Sequence, residues 1–179
     1  EAHLLLQLYD SLKSAARRAG DPPLEGRVGI LTPYQDQLKL LRRLVEQRGW
    51  AHEVELNTVD GYQGREKDVI LFSTVRSEAQ APPTHLSLSS NSSIGFLADT
   101  RRMNVALTRA KTGLYVVGSE ATLRHNPHWR GFVQQAKDTE CFVDVSGDAL
   151  LRAVPSLSPG PGGSSSSSGG GGGPWGGPG

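Results

Sequence analysis

The strongest constraint on this chain is a recurring order, in which short apolar runs alternate with segments that carry apolar residues at three-to-four spacing. The apolar runs fall at residues 28–31, 54–59, 69–75, 114–117 and 141–145. Residues 2–19 place Leu5, Leu8, Tyr9 and Leu12 on one helical face, ahead of the breakers Gly20 and Pro22. A second helix carries Leu38, Leu41, Leu44 and Val45 and stops at Gly49, with Thr32 expected as its cap and Pro33 as its first residue. Residues 99–110 read as an Arg-rich helix and turn, and Asn126–Pro127 opens a helix that runs through Lys137. Strands alternating with helices predict an α/β fold, with a mostly parallel five-stranded sheet and helices on both faces. In such sheets the active edge lies outside the strand carboxyl ends, so the polar segments are expected there.

Composition sets the boundaries. The last charged residue is Arg152, and from Ala153 to Gly179 the chain is almost wholly Gly, Ser and Pro. Such a stretch cannot bury enough apolar area to offset its chain entropy. Residues 1–150 are therefore assigned to one folded domain and 151–179 to a disordered tail, which reads as a linker because it holds no Arg. The 19 basic residues face 18 acidic ones, so any nucleic-acid contact must be local rather than spread over a uniformly basic surface. Cys141 is the single cysteine, which excludes a disulfide framework and a cysteine zinc site. No apolar run reaches membrane-helix length. The chain opens at Glu1 already inside a helical pattern and reads as a fragment.

Three segments carry chemistry. Gly29-Ile30-Leu31-Thr32-Pro33-Tyr34-Gln35 is a strand leading into a helix start; it serves either as a capped junction or as a donor set for a phosphate. Asn57 to Asp68 reads Asn-Thr-Val-Asp-Gly-Tyr-Gln-Gly-Arg-Glu-Lys-Asp, a polar string with two glycines placed between two apolar strands. Gly64 in that string permits close backbone approach to a ligand. Arg101 to Ala110 reads Arg-Arg-Met-Asn-Val-Ala-Leu-Thr-Arg-Ala. Arg109 follows a burying apolar face there, and an arginine held near a core by packing has an anion to meet. His125 and His128 stand three apart, but with no third ligand in view they read as capping or packing residues rather than metal ligands.

The strings at 58–68 and 101–110 resemble motifs V and VI of superfamily 1B helicases of the up-frameshift-like branch. Within it the pattern is most similar to senataxin and its fungal relatives, through Ile94-Gly95-Phe96-Leu97, His128-Trp129 and Asp138. The resemblance spans roughly residues 1–147. It implies a RecA-like second helicase lobe, with ATP bound in a cleft against an N-terminal RecA-like lobe and single-stranded RNA or DNA crossing both.

By the same resemblance, Arg109 is the catalytic arginine finger, and Gly64 and Glu66 line the ATP. Thr32, Pro33, Thr58, Ser73 and Arg76 touch the nucleic-acid backbone, and Asp60, Gln63 and Asn104 couple the two sites. The chain contains no Gly-x-x-x-x-Gly-Lys-Ser/Thr phosphate loop, so Mg²⁺ is expected to be held mainly by the other lobe. The isolated chain is then expected to be inactive. The resemblance further implies a nuclear 5′→3′ helicase acting on RNA:DNA hybrids in transcription termination or RNA processing. The rivals are an mRNA-decay or DNA helicase of the same branch, and a degenerate module that only binds nucleic acid or partners.

Overall fold

In the computed structural model, which describes residues 1–74 and 99–145, four of the apolar runs form one parallel sheet. Its strands are β1 (Val28–Thr32), β2 (Val54–Thr58), β3 (Lys67–Ser73) and β4 (Ala110–Val117), ordered β2-β1-β3-β4. Ile30 stands in register with Leu56 on one side and Leu71 on the other. The connecting helices are α1 (Ala2–Ala19), α2 (Gln35–Gln47), α3 (Thr100–Leu107), the short α4 (Glu120–Leu123) and α5 (Pro127–Asp138).

Side chains alternate across the strands, so each of the two central strands feeds two cores. Val28 and Ile30 of β1 and Leu71 of β3 join Leu5, Leu6 and Tyr9 of α1 and Leu41 and Val45 of α2. Leu31, Ile70 and Phe72 point the other way, to Met103 and Ala106 of α3 and Trp129 and Val133 of α5. Trp129 is fully buried and stacks on Phe72 at 6.1 Å between ring centroids. Each such side chain removed from water contributes about 1.5–3 kcal/mol. The apolar content of the central strands thus has a direct cause: both of their faces are covered.

Several local readings hold. Gly20 ends α1 in the left-handed conformation, its N–H reaching Ala16 and Arg17 carbonyls. Asn126 caps α5, its side chain accepting from the amides of His128 and Trp129.

Others are corrected. Residues 141–145 form no strand: after Glu140 takes a φ of 57° the segment leaves α5, with Phe142 packed on the core and Val143 exposed. Thr32 is not a helix cap. It is the last residue of β1, and the cap position of α2 belongs to Tyr34, so Pro33 precedes the helix. The edge strand β4 begins at Ala110 rather than Leu114, because Lys111 and Thr112 lie exposed on it and hide the apolar pattern. The Gly/Ser-rich tail, residues 82–93, Ile94 to Leu97, Val75 and Arg76 lie outside the described residues.

Candidate functional site

The segment after β2 crosses one face of the sheet from its carboxyl end to its amino end. At the start, the Asn57 side chain accepts from the Thr58 amide at 2.9 Å and donates to the Gly61 carbonyl at 3.1 Å. The Thr58 hydroxyl accepts from the Gly61 amide at 3.1 Å. A 3₁₀ turn at Asp60–Tyr62 follows and drives the Tyr62 ring under the sheet, where it is fully buried.

Gly29 makes room for that ring. A Cβ built there would stand 2.7 Å from Tyr62 Oη and 2.8 Å from Ile70 Cδ1. The Tyr62 hydroxyl is buried without a hydrogen-bond partner among the described residues, and burial, then the nearby Glu55 carboxylate, push its pKa up to about 12. Gly64 then turns the chain at φ 79°, a backbone state that costs other residues about 1–2 kcal/mol. The chain re-enters the sheet at Lys67, whose amide donates to the Arg109 carbonyl at 3.1 Å.

Gly64, Glu66 and Arg109 therefore gather at the amino ends of β3 and β4. This corrects the expectation that all the polar motifs lie at the carboxyl edge; that edge holds Thr32, Pro33, Thr58, Ser73 and the turn carrying Asp60, with Arg101 and Arg102 of α3 beside it.

Around the amino edge, cations and carboxylates are matched. Arg27 meets Asp68 at 2.6 Å, Arg65 meets Glu55 at 2.5 Å, Lys67 meets Glu55 at 3.3 Å and Lys111 meets Glu66 at 3.9 Å. Burial alone would raise the pKa of Glu55, but its hydrogen bonds with Arg65 and Lys67 outweigh that and hold it below the ordinary value.

Arg109 stands apart, because among the described residues it meets no carboxylate. Its Nε donates to the Val105 carbonyl at 3.0 Å, Nη2 to the Thr108 hydroxyl at 3.0 Å and Nη1 to the Arg65 carbonyl at 3.4 Å. A guanidinium has five N–H groups, so two remain without an acceptor among the described residues. The half-buried side chain is held by neutral oxygens and its charge is left uncancelled.

At the carboxyl edge the hydroxyls turn inward. Thr32 and Ser73 are fully buried. Ser73 Oγ donates to Glu1 Oε2 at 2.9 Å and accepts from Gln37 at 3.3 Å, while Thr32 Oγ1 accepts from the Tyr34 amide at 3.4 Å. Thr58 is also buried, and Pro33 is half-buried.

Asp60 and Gln63 meet α3 in an open concavity of about 160 Å³, lined also by Val59, Arg101, Arg102 and Val105. Arg102 bridges Asp60 at 3.2 Å and Asp99 at 3.7 Å. Asn104 sits one turn further along α3; its side chain is absent from this concavity, while its carbonyl accepts from the amide and hydroxyl of Thr108.

The structure thus joins Gly64 and Glu66 with Arg109 at the amino edge, and Asp60 and Gln63 with α3, and separates the Gly64–Arg109 group from Thr32 and Ser73 at the carboxyl edge. Sequence reasoning missed Glu55, Lys111 and Thr108. A lone Glu inside an apolar strand run was a usable signal for Glu55, whereas nothing in the string marks Thr108. Among the described residues no three His, Cys, Asp or Glu side chains converge on a common point.

The parallel sheet covered on both faces is the α/β architecture of RecA-like folds. A family model described as an AAA domain matches residues 1–121 and agrees with that class. The "Probable helicase MAGATAMA 3" of Arabidopsis thaliana is 40% identical over 147 residues, which is 80% of this chain and 15% of that protein. "Helicase SEN1" of Saccharomyces cerevisiae is 40% identical over 121 residues, 66% of this chain and 5% of that protein. A "Regulator of nonsense transcripts 1 homolog" of Neurospora crassa is 38% identical over 145 residues, 78% of this chain and 12% of that protein. The chain belongs to the superfamily 1B helicases, on the senataxin-like side of that family. It spans at most 15% of the length of these three relatives.

Proposed function

We propose that this chain is the second motor lobe of an ATP-dependent 5′→3′ helicase of senataxin type, with Arg109 as its arginine finger. The observation that carries this reading is the state of the Arg109 guanidinium: unpaired with any carboxylate among the described residues and retaining two N–H groups, on an edge where four other cations are matched. ATP would be gripped by an N-terminal RecA-like lobe and met from this side by Arg109, Gly64 and Glu66. Phosphoryl transfer depends mainly on positioning and on charge stabilisation, for which a planar two-donor fork suits the phosphate oxygens. Because the finger sits on a different lobe from the phosphate loop, hydrolysis waits for the lobes to close.

Single-stranded RNA or DNA would run along the carboxyl edge. With the hydroxyls of Thr32 and Ser73 turned inward, contact there falls to backbone groups, Pro33 and the Thr58 turn, which suits travel over any sequence. Asp60, Gln63 and Asn104 would connect the two edges through α3. Magnesium would be held mainly by the other lobe. By its resemblance to the senataxin-like helicases, its substrate would be RNA:DNA hybrids in the nucleus, in transcription termination or RNA processing.

The test uses protein containing both lobes. Arg109→Ala is expected to lower RNA-stimulated ATP turnover by roughly 10³–10⁵ while leaving affinity for single-stranded RNA unchanged. The 179-residue chain alone is expected to turn over no ATP. Equal turnover in the Arg109→Ala protein and its parent would replace the motor reading with that of a binding module.

A further inference from the structure

Among the described residues, the hydroxyl of Thr108 is the one side-chain group that hydrogen-bonds the Arg109 guanidinium. Thr108 occupies the C-cap position of α3, where its amide donates to the Asn104 carbonyl at 3.0 Å. Its hydroxyl donates to the same carbonyl at 2.8 Å and accepts from Arg109 Nη2 at 3.0 Å. A hydroxyl can do both at once, because it has one proton to give and lone pairs to receive. The other two anchors of the guanidinium, Val105 O and Arg65 O, are backbone carbonyls and do not depend on side-chain identity. The last carbonyls of α3 also carry the negative end of the helix dipole, which draws the cation against the helix end.

We propose that Thr108 is a positioning residue for Arg109, fixing the guanidinium by a neutral acceptor so that its full charge and two N–H groups stay available to a triphosphate. This rests on the arginine-finger reading. A carboxylate at the same place would hold the side chain equally well but would cancel the charge that phosphoryl transfer needs. Neutral anchoring avoids that conflict.

The experiment compares Thr108→Val, Thr108→Ser, Arg109→Ala and the Thr108→Val/Arg109→Ala double variant in protein containing both lobes. The kcat and KM for radiolabelled ATP are measured at saturating single-stranded oligouridylate, and thermal melting is followed in parallel. Thr108→Val removes one hydrogen bond to a charged group and is expected to lower kcat roughly 10–100-fold, with a smaller change in KM. Thr108→Ser keeps the hydroxyl and is expected to stay within about 3-fold of the parent (about 0.6 kcal/mol). In the Arg109→Ala background, Thr108→Val is expected to add nothing further.

Parent-like kcat in Thr108→Val, with Arg109→Ala inactive, overturns the positioning role and leaves the finger intact. An equal loss from Thr108→Val in both backgrounds marks a purely structural residue and also overturns it. Turnover retained in Arg109→Ala removes the finger reading, and the role of Thr108 with it.

Discussion

Replacing Gly29 by Ala probes the contact that carries the Thr58–Glu66 segment across the sheet. The added Cβ would lie 2.7 Å from Tyr62 Oη and 2.8 Å from Ile70 Cδ1, with Tyr62 Cζ at 3.2 Å. Ordinary contact begins near 3.4 Å, so two fully buried side chains must each retreat by several tenths of an ångström. Overpacking of this kind costs about 1–3 kcal/mol. In a Tyr62→Phe background the nearest atom is gone, and the remaining strain falls mainly on the Ile70 methyl group, with a smaller part on the ring Cζ. The same Gly29→Ala change is then expected to cost about 1 kcal/mol less.

Tyr62→Phe by itself is expected to preserve or raise stability, because the deleted hydroxyl is buried and lacks a partner among the described residues. Urea denaturation of the four proteins of this cycle supplies the numbers. Additivity within about 0.5 kcal/mol would show that the ring does not press on Gly29, and would remove the physical reason given for glycine at that position.

Two further outcomes are expected. Burial raises the Glu53 pKa, but hydrogen bonds from Lys13 and Tyr9 dominate and hold it below its ordinary 4.5; its contribution to stability is therefore full above pH 4.5 and is lost as pH falls below that through the folded-state value. Denaturation midpoints measured from pH 6 to about pH 3 should drop less steeply in Glu53→Gln than in the parent, and parallel slopes would refute the assignment. Trp129→Ala removes a fully buried ring stacked on Phe72 and edge-on to Phe132; urea denaturation should report a loss of about 3–5 kcal/mol, and a loss below about 1 kcal/mol would mean that α5 is not anchored by this residue.

What could be read from the string follows from short-range physics. Apolar runs of strand length and helices with one apolar face leave a parallel, doubly covered sheet as the economical burial. Asn126–Pro127 and Gly20 punctuate helices through groups adjacent in sequence. The pairing of the 58–68 and 101–110 strings was also legible, because the two carry motif-length patterns rather than isolated residues.

The failures have physical causes too. The 141–145 run has strand composition, but its segment finds no pairing partner among the described residues, and strand identity depends on a neighbour that local sequence does not name. Lys111 and Thr112 hide the start of β4 because an edge strand needs no apolar residues on its exposed portion. The edge on which each motif residue lies was hidden as well: whether Gly64 sits at the carboxyl or the amino end depends on Tyr62 drawing the chain beneath Gly29, a contact between residues 33 positions apart.

Residue types along the chain determined that there would be a buried parallel sheet, and that Arg109 would follow the apolar face of an Arg-rich helix. Only the tertiary structure decided that this arginine would be left without a carboxylate among the described residues while Arg27, Arg65, Lys67 and Lys111 received one, since charge pairing depends on distances of a few ångströms between strands that the order of residues does not encode.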